Sequence, residues 1–375
     1  MPRKGENIYK RKDGRWEGRY IKEYDIDNKA KYASVYAHSY QEVKNKLIIA
    51  KNNSVYPKQS SNSNILNFYA VEWLKTVEPQ IKRSTFVKYT NTINNHIIPL
   101  LGNKKIKDIT TDVVKNYVSQ KLSNGNITTE KGLSPKTVKD IISVIKLIMN
   151  YAAEQGETNL CKFSQITVRS ATIPERIITK NSQEQLTKYL LTETDYTKLG
   201  ILLCLYTGIR IGELCAIRYE DISVNEQIIR ITKTMQRLQT FSDKNEKTEI
   251  IISEPKSISS SREIPIPDFL MEIILTFKFK TKDYILTGRN DKFIEPRTLE
   301  YRFKSCLKAC GIKDYKFHQL RHRFASQCIE LGFDIKSLSE ILGHSSVNIT
   351  LNRYVHSSME LKRANMNKLQ CSIAY

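Results

Sequence analysis

The sequence predicts an α+β protein of several domains, and three observations carry that prediction. The first fifty residues alternate apolar and polar side chains around an Asp13-Gly14 turn, which is strand behaviour. From Ile65 the apolar spacing changes to the helical period and keeps it for about a hundred residues. Between the two lies Asn52 to Asn64, N-N-S-V-Y-P-K-Q-S-S-N-S-N, polar and without period, which reads as a linker. At 375 residues the chain is too long for one ordinary domain, so two or three are expected. The full expectation is a small three-stranded sheet plus a helix (1–55), then a four-helix domain (65–165). A mainly helical domain with a small antiparallel sheet (175–375) completes it.

In the first module N-I-Y-K-R-K turns at Asp13-Gly14 into R-W-E-G-R-Y-I-K, a strong hairpin signal. A looser turn around Asp25 to Lys29 leads to K-Y-A-S-V-Y-A. Ser39 with Glu42 makes a capping box that opens a helix running to about Ala50. Trp16 is the expected centre of the small core. Lys10, Arg11, Lys12, Arg15, Arg19 and Lys22 place six basic residues within thirteen positions of this sheet. Such a ribbon can lie in a DNA groove, phosphate contacts positioning it. The plainer alternative is an edge sheet whose charges prevent aggregation.

In the second module Ile65, Phe68, Tyr69, Trp73 and Leu74 share one helix face, and Pro79 ends that helix. Ser84 is expected to cap the next, with Phe86, Tyr89, Ile93 and Ile97 inward until Pro99 and Gly102 stop it. A third helix opens at Thr110 or Thr111. After a loop from Gly125 to Gly132, Ser134-Pro135 supplies an N-cap and a first-turn proline for a fourth, which buries Val138, Ile141, Ile142, Ile145, Ile148 and Met149. Lys82, Arg83, Lys88, Lys136 and Lys139 gather at helix starts, where phosphate binds readily; solvated helix faces are the equal alternative. A second linker falls around Thr167 to Pro174. The last domain begins with helices at Ser182 to Leu191 and Lys198 to Tyr206. Strands are expected near 228–235, 249–254 and 261–266, with helices from there to the end.

Composition narrows the partner. Sixty Lys plus Arg against 39 Asp plus Glu leave a net charge of +21, which suits a polyanion. Nucleic acid is the commonest one and an anionic membrane the rival. No apolar run approaches the length of a membrane span and the N-terminus lacks a signal-peptide core, so a soluble intracellular protein is expected. Seven cysteines without a C-x-x-C argue against a disulfide framework. Cys306 and Cys310 share a helix face but lack two further ligands for a metal, and Cys204, Cys215 and Cys328 read as core residues.

Chemistry concentrates in the second half. Arg210, in T-G-I-R-I-G-E-L, is expected on the first turn of a new helix after a break at Thr207-Gly208. It is a forked donor for phosphate oxygens, with Glu213 one turn on to orient it. Lys256, in P-K-S-I-S-S-S-R-E-I-P, sits on a turn from which it can give a proton to a leaving oxygen; Lys233 and Lys247 are comparable lysines. His318 and Arg321 form H-x-x-R on one helix face, a proton carrier beside a phosphate holder. His322 beside them is taken as structural. His344 follows Leu342-Gly343 and is expected to start a further helix. Tyr354, one of twenty tyrosines, lies in T-L-N-R-Y-V-H. Its phenol would need neighbouring arginines and a base to become a nucleophile.

In combination, Arg210, Lys256, the H-x-x-R of His318 and Arg321, His344 and Tyr354 resemble the tyrosine recombinase (phage integrase) family, most like integrases of conjugative transposons and temperate phages. The resemblance covers essentially the whole chain. It implies an arm-site-binding domain (1–55), a core-binding SAM-like domain (65–165) and a catalytic domain (175–375). It implies that Tyr354 attacks the scissile phosphate to give a 3′-phosphotyrosine, that Arg210 and Arg321 stabilise the transition state, and that Lys256 protonates the leaving 5′-oxygen. His318 would be the base toward Tyr354 and His344 a hydrogen-bond partner of the phosphate. Neither a metal, ATP nor another cofactor is required. The partners it implies are double-stranded DNA at attachment or transposon-end sites, a homo-tetramer on paired sites whose C-terminal tails (Leu361 to Tyr375) dock on a neighbour, and an excisionase and host DNA-bending proteins. A cytoplasmic, bacterial setting goes with them. A type IB topoisomerase-like relaxing enzyme, or a catalytically silent DNA-binding regulator, would share parts of this pattern. A metal-dependent transposase would need a carboxylate triad, and no convincing one is present.

Overall fold

The computed structural model describes residues 7–24, 30–54, 64–126, 129, 131–169, 177–240, 247–254, 260–354, 363 and 366–367, without the side chains of 21–24, 30–31, 48–49 and 51–54. The loop lysine Lys256, the side chain of Lys22 and nearly all of the C-terminal tail therefore lie outside the described residues. The chain divides into two compact units, Met1–Ala171 and Thr172–Tyr375.

The first unit opens with β1 (Ile8–Lys10), β2 (Trp16–Tyr24) and β3 (Ala30–Ala37), an antiparallel sheet in sequence order, followed by α1 (Tyr40–Ser54). Gly14 supplies the left-handed turn residue (φ 84°). Ser39 caps α1 by accepting the Glu42 N–H at 3.2 Å. The register pairs Lys10 with Trp16, Trp16 with Ala37 and Gly18 with Val35, so one face of the sheet carries these residues toward α1. Val43 and Leu47 of α1 pack on Ile8 and Ala37, and Trp16 meets Tyr40 edge-on at 5.2 Å. A Cβ at residue 18 would come within 2.8 Å of Val43, which explains glycine there.

The six basic residues of this module do not form one row. Lys10 lies on the α1 face with its ammonium 6.0 Å from the Trp16 ring, whereas Arg19 lies on the opposite face with Tyr9, Glu17 and Tyr36. Lys12 is exposed in the turn. Arg11 and Arg15 cover the Tyr36 ring and are tied to carboxylates, Arg11 to Asp13 and Glu17, Arg15 to Asp13.

The helical part comprises α2 (Leu66–Val77), α3 (Arg83–Thr92), a π-helical turn (Ile93–Ile97) running into α4 (Ile98–Leu101), α5 (Thr111–Asn124) and α6 (Pro135–Glu154). Their apolar faces meet in a core of Leu66, Trp73, Ile97, Val114, Ile145 and Ile148. Thr110 and Ser134 are the N-caps of α5 and α6, as their positions suggest. Two local expectations are corrected. Ser84 lies inside the first turn of α3, because Lys82 takes the extended N-cap conformation and its carbonyl accepts from Thr85 and Phe86. Pro99 does not stop the helix. The Ile98 N–H reaches back to the Ile93 carbonyl, and this wider turn moves the carbonyl four residues before the proline away from its ring.

The second unit starts with α7 (Lys180–Leu191), α8 (Tyr196–Thr207) and α9 (Ile211–Ala216). Next come β4 (Ile222–Ser223), β5 (Ile228–Ile231), β6 (Thr234–Gln239), β7 (Thr248–Ser253) and β8 (Arg262–Pro265). It closes with α10 (Asp268–Thr276), α11 (Pro296–Ala309), α12 (His318–Glu330), α13 (Ile335–Leu342) and α14 (Val347–Tyr354). Helix α8 is buried almost all round, Leu199 and Ile201 to Leu205 lying at its heart, so it is the post on which the others stack. The strand expected over 228–235 is broken at Thr232-Lys233. Its first part joins a sheet of order β4-β5-β8, and its second part forms a separate β6-β7 hairpin. Both Ile231 and Met235 are buried, and a continuous strand of period two would indeed keep them on one face; the break instead lets β6 leave the sheet.

Phe303, wholly buried in this core, sets a test of the packing. Phe303→Ala is expected to lower unfolding stability by about 3–5 kcal/mol in urea titrations, the cost of a ring-sized cavity.

Candidate active site

Two helices of the second unit end on left-handed glycines, and their freed carbonyls build the site. Gly208 (φ 68°) stops α8 and Gly343 (φ 62°) stops α13. A Cβ on Gly208 would stand 2.5 Å from the Phe324 ring, so the close approach of α12 also requires glycine. Arg321 donates to the Gly208 carbonyl at 2.7 Å and to the Leu342 carbonyl at 2.6 Å. Arg210 donates to the Gly343 carbonyl at 2.9 Å. The two guanidiniums are thus anchored on neighbouring carbonyls at the C-terminal end of α13, where unpaired carbonyl dipoles favour cations.

Arg210 is the N-cap residue of α9, and Glu213 reaches back to it. One Glu213 oxygen accepts the Arg210 backbone N–H at 3.0 Å and the other accepts the side chain at 2.7 Å. The same carboxylate receives a fork from Arg262, at 2.8 and 3.2 Å. Arg262 also donates to the Ile341 carbonyl at 2.6 Å and to the Ser260 carbonyl at 3.1 Å. Only 4% of the Glu213 side chain and 6% of the Arg262 side chain are exposed. Burial by itself would raise the carboxyl's pKa, but the hydrogen bonds and charge of Arg262, then Arg210, outweigh it and hold the pKa below the ordinary range. Sequence reasoning missed Arg262. Its signal was parity: Arg262, Ile264 and Ile266 alternate on the inward side of β8, and a charge at such a position needs a buried partner.

Arg321 is 2% exposed, and burial, followed by repulsion from Arg210 and Arg262, lowers its pKa to about 9. It stays charged at neutral pH. His344 lies three residues before α14 begins, so it belongs to the connection from α13 and does not start the last helix. Its Nδ1 is 2.8 Å from the buried Thr350 hydroxyl. Burial first, then the nearby arginines, drive its pKa down to about 4, which leaves a neutral imidazole.

Tyr354 ends α14, nearly buried, with its hydroxyl 2.5 Å from Nδ1 of His322. His322 is 2% exposed. His318, the first residue of α12, is exposed, and its ring meets the His322 ring edge-on with centroids 4.5 Å apart. The side chain in contact with the Tyr354 hydroxyl is therefore His322, which the sequence analysis takes as structural. The spacing from His318 was available: residues four apart share a helix face.

The structure thus brings Arg210, Glu213, Arg321, His344 and Tyr354 together around the end of α13, with His318 one ring away from the Tyr354 partner. Lys256 lies outside the described residues, between β7 and β8. In the first unit Arg83, Lys136 and Lys139 are exposed at helix starts, and Lys88 pairs with Asp140 at 2.8 Å. Among the described residues no three His, Cys, Asp or Glu side chains gather where a metal ion could be held, and no helix is long and apolar enough to cross a membrane. Cys204, Cys215, Cys306 and Cys328 are buried packing residues.

Two family models match this chain: the phage integrase family over residues 176–360, and the N-terminal SAM-like domain of phage integrases over residues 65–122. The chain belongs to the phage integrase family. Its members are tyrosine recombinases, enzymes that cut and rejoin DNA. The XerC-like tyrosine recombinase of Caldanaerobacter subterraneus subsp. tengcongensis is 28% identical over 308 residues, 76% of this chain and 77% of that one. Among solved structures, the integrase of transposon Tn1549 in complex with transposon right end DNA shares the fold at a TM-score of 0.64 and 21% identity, covering 80% of this chain and 99% of that one. The lambda integrase tetramer bound to a Holliday junction shares it at 0.55 and 19%, over 95% and 98% of the two chains.

Within this integrase the Arg262–Glu213 pair is a structural keystone. Arg262→Met is expected to cost about 3–5 kcal/mol by urea denaturation, because it strips one partner from a buried carboxylate. The double variant Arg262→Met with Glu213→Gln should recover part of that loss.

Proposed function

We propose that the chain is a site-specific DNA recombinase that integrates and excises a mobile element through a 3′-phosphotyrosine intermediate and a Holliday junction. The observation that carries the reading is the assembly of Arg210, Arg321 and a neutral His344 beside the buried hydroxyl of Tyr354. Membership of the tyrosine recombinases supports it.

In this reading a phosphodiester enters with its nonbridging oxygens toward Arg210 and Arg321. Both guanidiniums are fixed in advance by backbone carbonyls, so they stabilise the pentavalent transition state without reorganising. His344, neutral and held by Thr350, adds a hydrogen bond to the phosphate. Tyr354 attacks phosphorus, and Lys256 protonates the departing 5′-oxygen. A 5′-hydroxyl from the partner duplex then reverses the attack, so the bond energy is retained and neither ATP nor a metal is consumed.

Around that centre we assign 1–55 to arm-type sites, 65–165 to core-type sites and 175–375 to catalysis. Lys10, Arg11, Lys12, Arg15, Arg19 and Lys22 would meet the arm-type DNA, Arg83, Lys88, Lys136 and Lys139 the core-type DNA. Arg11, Arg15 and Lys88 would have to exchange their carboxylate partners for phosphate. The solved lambda integrase tetramer on a Holliday junction supports a tetramer here, with an excisionase and DNA-bending proteins as accessory partners. An enzyme that acts on chromosomal and element DNA would work in a bacterial cytoplasm.

Two outcomes test the reading. Tyr354→Phe is expected to bind a nicked duplex of an element end with unchanged affinity and to form no covalent adduct on denaturing gels; an adduct that persists removes Tyr354 from the role. Lys256→Ala should slow cleavage by about 10²–10⁴-fold on an ordinary site. The same variant should regain most of its rate when the leaving 5′-oxygen is replaced by sulfur, which departs without a proton.

A further inference from the structure

The geometry points to Thr350 as a positioning residue: its hydroxyl donates to Nδ1 of His344 and so leaves the hydrogen of that imidazole on Nε2, as a donor for the scissile phosphate. The inference rests on His344 being a hydrogen-bond partner of the phosphate and deepens that reading. Three observations carry it. The Thr350 Oγ1 and His344 Nδ1 lie 2.8 Å apart. Thr350 is wholly buried, so bulk water does not take up its hydroxyl. Among the described residues that hydroxyl has no hydrogen-bond partner other than Nδ1.

A contact between a hydroxyl and a neutral imidazole can run in either direction, and the hydroxyl proton decides which. A threonine hydroxyl carries one hydrogen and needs one acceptor for it. In a helix that acceptor is ordinarily the carbonyl four residues back, as for Thr90 on Phe86 and Thr92 on Lys88. Thr350 instead turns its hydroxyl to His344. Were Nδ1 the donor, the Thr350 hydrogen would be left without an acceptor in a buried place, a loss that folded chains avoid. An imidazolium would strand it in the same way, because both ring nitrogens then donate. Burial and the neighbouring arginines keep the ring neutral, its pKa driven down to about 4. The hydrogen therefore lies on Nε2. The opposite tautomer would present a lone pair to an anionic oxygen and repel it.

The place of Thr350 also joins the two halves of the site. Among the described residues α14 buries Thr350 and Tyr354, one turn apart on one face. His344 is held from two sides. Its backbone N–H donates to the Ser339 carbonyl of α13 at 3.1 Å, and its ring meets Thr350 of α14. The helix that carries the nucleophile is thus latched to the phosphate-binding histidine, and a shift of α14 that displaces Tyr354 also releases His344.

The experiment uses two substitutions that separate the hydroxyl from the packing around it. Thr350→Val keeps the shape and loses the O–H, whereas Thr350→Ser keeps the O–H and loses the methyl. The readout is single-turnover cleavage of a nicked duplex carrying an element end, by the full chain. Thr350→Val should bind the duplex unchanged and cleave on the order of 10-fold more slowly, part of what the loss of a transition-state donor costs. Thr350→Ser should stay close to the wild-type rate. His344→Ala should be slower on the order of 100-fold, and adding Thr350→Val to it should change nothing further, since the pair acts as one unit. Long-range proton–nitrogen NMR spectra of the full chain carrying isotope-labelled histidine, with His344 assigned by its loss in His344→Ala, should show hydrogen on Nε2. The inference is overturned if Nδ1 carries that hydrogen, or if Thr350→Val cleaves at the wild-type rate. It is equally overturned if Thr350→Ser is as slow as Thr350→Val, which marks a packing role, or if Thr350→Val slows His344→Ala as much as it slows the wild type. Thermal melts identify a variant that fails to fold; Thr350→Ala then replaces Thr350→Val, and His344→Asn replaces His344→Ala, under the same criteria. A folded His344→Ala protein that cleaves at the wild-type rate would instead sink the underlying reading of His344 as a phosphate partner.

Discussion

Glu213 is the buried anion on which this active site depends. Three guanidiniums, those of Arg210, Arg262 and Arg321, lie within its electrostatic reach, and the first two hydrogen-bond it directly. Without it the arginines would repel one another in a place largely shielded from water. With it, three positive charges face one buried carboxylate, and helix-end carbonyls accept hydrogen bonds from all three guanidiniums. Such a pocket is poised for an anion of one or two charges with several oxygens, which describes a phosphodiester passing through its transition state.

The same economy gathers the three arginines at one helix end. The carbonyls of Leu342 and Gly343 hold Arg321 and Arg210, and the Ile341 carbonyl holds Arg262. The C-terminal turn of α13 is therefore a template for all three arginines. One residue beyond Gly343 comes His344, and ten further comes Tyr354, so the remaining side chains of the candidate site follow that one helix end in sequence. A neutral His344 fits the scheme. A second cation source at that point would add to the repulsion, and burial beside arginines suppresses its protonation.

The electrostatics outside the site are less uniform than composition implies. A net charge of +21 suits a DNA-binding chain, yet several basic residues already hold carboxylates: Arg11 and Arg15 with Asp13, Lys88 with Asp140. Exchanging an exposed carboxylate for phosphate is nearly neutral in energy, since exposed pairs contribute little. The Asp13 pairs hold the Arg11 and Arg15 side chains over the Tyr36 ring.

The sequence by itself determined the α+β class, the strand and helix periods, the caps at Ser39, Thr110 and Ser134, and the grouping of Arg210, Arg321, His344 and Tyr354 as candidates. Each of those signals is local, written in a period, a turn residue or a short motif, and local preferences survive into the folded chain. Tertiary structure alone decided the rest. Lys10 and Arg19 were counted together until strand register put them on opposite faces. The strand after Ile228 divides because the chain must leave one sheet to pair in another, a choice made by partners far along the sequence. Arg262 became visible only when β8 laid it against Glu213, forty-nine residues earlier. His322 is the sharpest case: beside a motif histidine it looked structural, and only the packing of α14 against α12 brings the Tyr354 hydroxyl to its ring.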